Sequence, residues 1–230
     1  RQLANRLVAL GHAVTSSLAG RTQEPVLPQG AVRIGGFGGV DGLSQYLRTS
    51  NIEWLVDATH PYAGQISRNA VAASAQSGTR LLRLMRPAWE PRAGESWITV
   101  PTPDAAAAAL PAQAHVLVTT GHGGLSSLLA REDCRLLVRT IEPTAERLPA
   151  HARLLQMRPP FSLQTETTLM AGEKITHLVS KNSGGGQTAA KLEAAYRLGV
   201  RVIMIARPHY DPAPEVTSVE AAIAALGITG

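Results

Sequence analysis

Ile175-Thr176-His177-Leu178-Val179-Ser180-Lys181-Asn182-Ser183-Gly184-Gly185-Gly186 opens the stretch whose reading decides the fold. Its first five residues are an apolar, β-prone run, and a Ser-Lys-Asn-Ser tetrad leads from them into three glycines. A helix is expected from about Thr188, because Ala189, Leu192, Ala195 and Gly199 recur at the spacing of one helical face. Gly199 stops that helix, and Val200 to Ala206 reads as the next buried strand. Strand, crossover helix and strand make a βαβ unit, which requires a parallel sheet. The glycine loop then lies at the carboxyl end of its strand and the amino end of its helix, where ligands gather in open α/β sheets. Glycines let backbone N–H groups approach an anion, and the helix dipole favours negative charge there. Lys181 adds a mobile cation; Asn182 and Ser183 add hydrogen-bonding groups. Glycines also follow strands in plain connectors, but Lys, Asn and Ser in one loop weigh toward an anion site.

The totals agree with an α/β protein. The 230 residues suffice for two compact domains or one large one. Hydrophobic residues make up 44% and aromatics only 4%, with Ala and Gly abundant, which favours close helix-on-sheet packing over an aromatic platform. The net charge of +5 suits a polyanionic partner. The basic residues are scattered and mostly Arg, which argues against a nucleic-acid-binding arm. Cys134 is the only cysteine, so no internal disulfide or thiolate metal site can form. No apolar run approaches membrane-spanning length, and no secretory leader is read. A cytoplasmic protein without membrane or metal is the expectation.

Outward from the glycine loop, other strand ends carry similar chemistry. His115 to Thr119 reads as a buried strand, followed by Thr120-Gly121-His122-Gly123-Gly124 and a helix. Leu81 to Leu84 is a strand ending in Met85-Arg86-Pro87-Ala88-Trp89, and Arg207-Pro208 repeats that Arg-Pro ending. Ile52 to Asp57 is a strand running into Ala58-Thr59-His60-Pro61-Tyr62, with a helix after it. Ala19-Gly20-Arg21 ends a further strand. The chain opens on a helix, Arg1 to Leu10, where a doubly wound domain normally has a strand and loop first; these are expected to be missing. Polar and basic groups at several strand ends would face a common crevice. The expected architecture is therefore two doubly wound α/β lobes with parallel sheets, residues 1–92 and 93–230, and a cleft between them.

Asp57-Ala58-Thr59-His60-Pro61-Tyr62-Ala63, with Ile66-Ser67 and Asn69-Ala70, resembles a signature of the precorrin-6A reductase family. Ser17-Leu18-Ala19-Gly20-Arg21, Leu82-Arg83-Leu84 with Arg86-Pro87 and Trp89, Thr119-Thr120-Gly121, and Lys181-Asn182-Ser183-Gly184-Gly185 with Lys191-Leu192 are similar to further segments of it in the same order. The resemblance covers nearly the whole chain. It implies two Rossmann-like lobes with an interdomain cleft, and a cytoplasmic oxidoreductase of corrin-ring biosynthesis acting on a CH–CH bond. Such an enzyme reduces one ring double bond of precorrin-6A to give precorrin-6B, with NADPH as hydride donor; NADH stays open, as does a cobalt-containing ring. Two departures accompany it. Family members begin with a strand and a Gly-Gly-Thr loop ahead of the helix at Arg1, and His122 stands where the family often has a basic residue.

Under this resemblance Thr119, Thr120, Gly121, Ser180, Lys181, Asn182, Ser183, Gly184 and Gly185 would bind the dinucleotide. Arg21, Thr59, His60, Pro61, Tyr62, Arg86 and Arg207 would meet the anionic tetrapyrrole, Arg offering paired donors to carboxylates. The reverse assignment stays open. Hydride transfer needs no protein nucleophile, since the cofactor supplies the chemistry. His60, Tyr62 and Lys181 are the candidates for assisting with a proton, and solvent is another. The alternative from a different class is a non-catalytic α/β module that senses a nucleotide or other anion.

Overall fold

The computed structural model describes residues 1–20, 26–95, 97–144 and 147–228. The chain divides into two compact units: residues 1–86 with 209–230, and residues 87–208. In chain order the first unit holds α1 (Gln2–Ala9), β1 (Thr15–Leu18), β2 (Ala31–Ile34), α2 (Gly39–Thr49), β3 (Trp54–Asp57), α3 (Gly64–Ser77) and β4 (Arg80–Leu84). The second holds β5 (Trp97–Val100), α4 (Pro103–Ala108), β6 (His115–Val118), α5 (Leu125–Leu129), β7 (Arg135–Thr140), β8 (Ala152–Gln156), α6 (Leu163–Gly172), β9 (His177–Lys181), α7 (Ala190–Leu198) and β10 (Arg201–Ile205). The chain then re-enters the first unit with β11 (Glu215–Val216) and α8 (Val219–Ala225).

The second unit is one six-stranded sheet in the order β5-β10-β9-β6-β7-β8, with every pair parallel. Its central strands are buried on both faces, as a parallel sheet covered by helices requires. Val116, Leu117, Val118, Leu178 and Val179 have no more than traces of exposure. Helices α4 and α5 pack together, as do α6 and α7. Ala194 and Ala195 are fully buried on α7, and their small side chains let the helix lie close to the sheet. Gly199 ends that helix with φ +67°, the left-handed conformation glycine adopts without penalty. The expected βαβ unit is thus present, with its first strand starting two residues later than the apolar run. Thr176 is diverted to His115, exchanging bonds through its hydroxyl and backbone, and Ile175 closes the end of α6.

After β6 the chain moves through α5 to β7 on one side; after β9 it moves through α7 to β10 on the other. The neighbouring strands β6 and β9 are therefore a topological switch point, where the diverging connections leave a crevice at the carboxyl ends.

The first unit pairs β1 with β2, and β11-β4-β3 form a separate three-stranded sheet, again all parallel. Alternation along β3 serves two cores. Trp54 and Val56 pack with Leu3, Leu7, Leu82, Ala222 and Ile223 of α1, β4 and α8, while Leu55 packs with Leu43, Leu47 and Ala73 of α2 and α3. The expected single boundary at 92/93 differs from this arrangement. The first crossing falls at 86/87, and residues 209–230 belong to the first unit, because Glu215 and Val216 pair with Arg83 and Leu84. A two-residue strand has no periodicity by which it could be read ahead of the structure.

Candidate active site

The two glycine loops of the second unit meet at the switch point. At the end of β6 the Thr119 N–H and hydroxyl both donate to the Val179 carbonyl, at 2.9 and 3.1 Å, tying that end to β9. Gly121 has φ +66°, and open space lies where a Cβ would stand. A Cβ on Gly123 would come within 2.8 Å of Lys181 Nζ, so the amine at the end of β9 lies directly over the β6 loop. Burial pulls the Lys181 pKa below its ordinary value. Ser180 is fully buried and its hydroxyl donates to the Lys181 carbonyl at 3.1 Å.

Asn182 and Gly184 have a part the sequence did not disclose. The Asn182 carboxamide accepts from Trp89 N at 2.7 Å and donates to Trp89 O at 2.9 Å. The indole Nε1 donates to the Gly185 carbonyl at 3.1 Å. Gly184 has φ +68°, and a Cβ there would stand 2.2 Å from the Pro87 carbonyl oxygen. The glycine loop is thus shaped against residues 87–89. Arg207 joins the same cluster: its Nε donates to the Asn182 carbonyl at 2.9 Å, while Nη2 is buried without a hydrogen-bond partner among the described residues.

Behind these loops lies a buried polar group centred on Lys191, a residue noted in the sequence only within a family-like segment and given no role there. Lys191, in the first turn of α7, is 4% exposed and donates to Thr119 Oγ1 at 3.1 Å. Its Nζ stands 5.3 Å from the Trp89 ring centroid. Arg139 on β7 pairs with the fully buried Glu166 on α6 at 2.9 Å and stacks on Phe161. Burial first, then the Arg139 charge, lowers the Lys191 pKa to about 7, against a smaller upward pull from Glu166. The available signal was a lysine set between Ala189, Ala190 and Leu192 in the first turn of a helix that needs a buried face.

In the first unit, β3 and β4 carry the second cluster. Asp57 Oδ1 accepts from the Thr59 N–H at 3.2 Å and hydroxyl at 2.7 Å. Tyr62 N donates to His60 Nδ1 at 3.2 Å, and the two rings are 5.8 Å apart. The Tyr210 hydroxyl donates to the Pro61 carbonyl. Buried Arg83 lies 3.6 Å from both Asp57 and Glu215, donates twice to the Asp211 carbonyl, and faces the Tyr210 ring. Thr59, His60, Pro61 and Tyr62 are therefore gathered at the end of β3. Arg86 is exposed just beyond the neighbouring β4, and Arg207 stands in the other unit. Arg21 lies outside the described residues.

A groove of about 370 Å³ opens elsewhere, between residues 47–53 and 77–80. These segments precede β3 and β4, so the groove lies at the amino ends of the strands, away from the ligand edge. Among the described residues no group of three or more His, Cys, Asp or Glu could hold a metal ion, and no helix is long and apolar enough to cross a membrane.

Parallel sheets, helices on both faces and two glycine loops converging at a switch point define a doubly wound α/β protein with a ligand site at its strand ends. The chain belongs to the precorrin-6x reductase CbiJ/CobK family, whose model matches residues 1–227. It is 46% identical over 219 residues to a precorrin-6A reductase of Rhodococcus erythropolis, covering 94% of this chain and 88% of that one. A cobalt-precorrin-6A reductase of Priestia megaterium is 25% identical over 239 residues, covering 98% and 93%. A solved CobK precorrin-6A reductase superposes with a TM-score of 0.93 at 42% identity, over 99% of this chain and 93% of its own.

Proposed function

We infer that this chain is a precorrin-6A reductase of cobalamin biosynthesis that uses NADPH, and that the loops ending β6 and β9 receive the dinucleotide. The observation carrying the assignment is Lys181 Nζ lying over Gly123, which joins a cation, two glycine turns and the Thr119–Gly121 backbone in one place. The residues there suit an anionic cofactor: Gly121 leaves open space, and Arg207 Nη2 is a buried donor without a partner among the described residues. A bound nicotinamide dinucleotide supplies the hydride. The protein's share is to hold phosphates with Lys181, Arg207 and loop N–H groups, and to orient the ring to be reduced. Thr59, His60, Pro61, Tyr62, Arg86 and Arg21 are assigned to the carboxylate-edged tetrapyrrole. His60 and Tyr62, with Lys181, are the groups available to steady proton balance as hydride arrives.

The test is nicotinamide oxidation followed by absorbance. NADPH should be consumed only when precorrin-6A is supplied, and more slowly with NADH at equal concentration. Binding of NADPH without turnover in the presence of the tetrapyrrole would instead establish a sensor.

A further inference from the structure

The buried lysine behind the loops has no role in the scheme above, and its surroundings are incomplete in a telling way. Lys191 is held by the Thr119 hydroxyl, which itself donates to the Val179 carbonyl, and by the face of Trp89. The one carboxylate that acts on it, Glu166, is already paired to Arg139. Among the described residues no acidic group lies within ion-pair distance of Lys191 Nζ, although a charge nearly sealed from water needs a partner. The group it does touch, Thr119, begins the loop that faces ligand.

We propose that Lys191 is the buried counter-charge of the switch-point loops: its bond to the Thr119 hydroxyl anchors the end of β6, and it takes up a proton when an anionic ligand group seats on the turn that follows at Thr120 and Gly121. The inference rests on the reading that these loops receive an anion. The charged groups acting on it are Arg139 from β7, which opposes its charge, and Glu166 from α6, which favours it. On α7 itself Glu193 is engaged by Arg92 and Arg197, and on β10 Arg201 stands at the far end of the strand. With its pKa near 7 in the free protein, the amine is mostly neutral at pH 8. An arriving anion raises that pKa, and the linked proton comes from solvent. A residue that only packed or bonded in the core would bind ligand without any such proton.

Calorimetry of NADPH binding to the intact protein at pH 8, in buffers of different ionisation enthalpy, reads the proton directly. The 2′-phosphate, with its second pKa about 6, is already ionised there and contributes nothing. The wild-type protein should take up roughly half a proton or more per NADPH bound. Lys191→Met should abolish the uptake and weaken binding by about tenfold, the loss of one charge-assisted contact. Lys191→Gln, which keeps a donor to Thr119 but no charge, should recover part of the affinity and none of the uptake. No uptake in the wild type, or full uptake in either variant, overturns the proposal; if Lys191→Met does not fold, Lys191→Gln makes the comparison. Lys181→Ala and Gly123→Val separate it from the site reading. If both leave NADPH affinity unchanged, the loops are not the site; if both weaken it while wild-type uptake is nil, only the role of Lys191 fails.

Discussion

The Asn182 carboxamide pairs with Trp89 as one strand pairs with another, accepting from its N–H and donating to its carbonyl. A side chain has taken the place of a backbone ladder and pins residues 87–89 to the glycine loop. Asn182→Ala strands both Trp89 backbone groups. Its expected cost is about 2 kcal/mol, the low end for two groups at roughly 1–3 kcal/mol each, because Trp89 is only half-buried. Urea unfolding measures it. Asn182→Asp should be nearly as damaging, because a carboxylate cannot donate to the Trp89 carbonyl. If Asn182→Ala unfolds at the wild-type midpoint, the clamp contributes nothing.

Lys181→Ala should raise the apparent KM for NADPH by tenfold or more while changing kcat far less, because a phosphate contact is made equally in ground and transition states. Steady-state kinetics with each substrate varied in turn gives the answer. A change confined to the tetrapyrrole KM would reverse the assignment of the two clusters.

Arg83 holds the re-entrant segment. It is buried against Asp57 and donates to the Asp211 carbonyl, so Arg83→Leu leaves a buried carboxylate without its partner. Removal of one member of a buried pair costs about 3–5 kcal/mol. Residues 209–216 should become open to proteolysis at concentrations that spare the wild type. Uncut protein of unchanged stability would refute the role.

Lys191 should also write itself into stability against pH. Its folded pKa, near 7, lies below the ordinary lysine value of 10.5. Between those values the unfolded chain holds the proton and the folded chain does not, so stability rises with pH across that window, by at most about 1.4 kcal/mol per unit. Below pH 7 both states are protonated and the slope vanishes. Lys191→Met removes the rise. Urea titrations at pH 6, 7.5 and 9 should therefore show the variant faring best, relative to wild type, at pH 6. Parallel profiles would contradict the burial.

The pair of Arg139 and Glu166 is testable in the same way. Arg139→Met alone leaves Glu166 fully buried without its partner and should cost about 3–5 kcal/mol, whereas Arg139→Met with Glu166→Leu should regain most of it. Equal losses in the single and double variants would mean the ion pair itself is indispensable.

Much of this was readable from local pattern. The βαβ stretch, the glycine loop at Lys181 and its counterpart at Thr120, and the cluster at Thr59 to Tyr62 all fall at strand ends, because apolar runs and helix stops are short-range signals. Their chemistry was less readable. Asn182 and Gly184 looked like ligand groups, yet their nearest demands come from Trp89 and Pro87. Arg207 looked like a partner for the tetrapyrrole, and its Nε is engaged by the Asn182 carbonyl of the glycine loop.

The order of strands, helices and glycine turns, and with it the parallel α/β class, was determined by the sequence alone, because each depends on neighbours within a few residues. Only the tertiary structure decided that the last segment returns to Arg83, that Trp89 is clamped by Asn182, and that Lys191 is buried on Thr119. Those partners lie 128, 93 and 72 residues apart, and burial and charge pairing at such separations exist only once the sheets have closed.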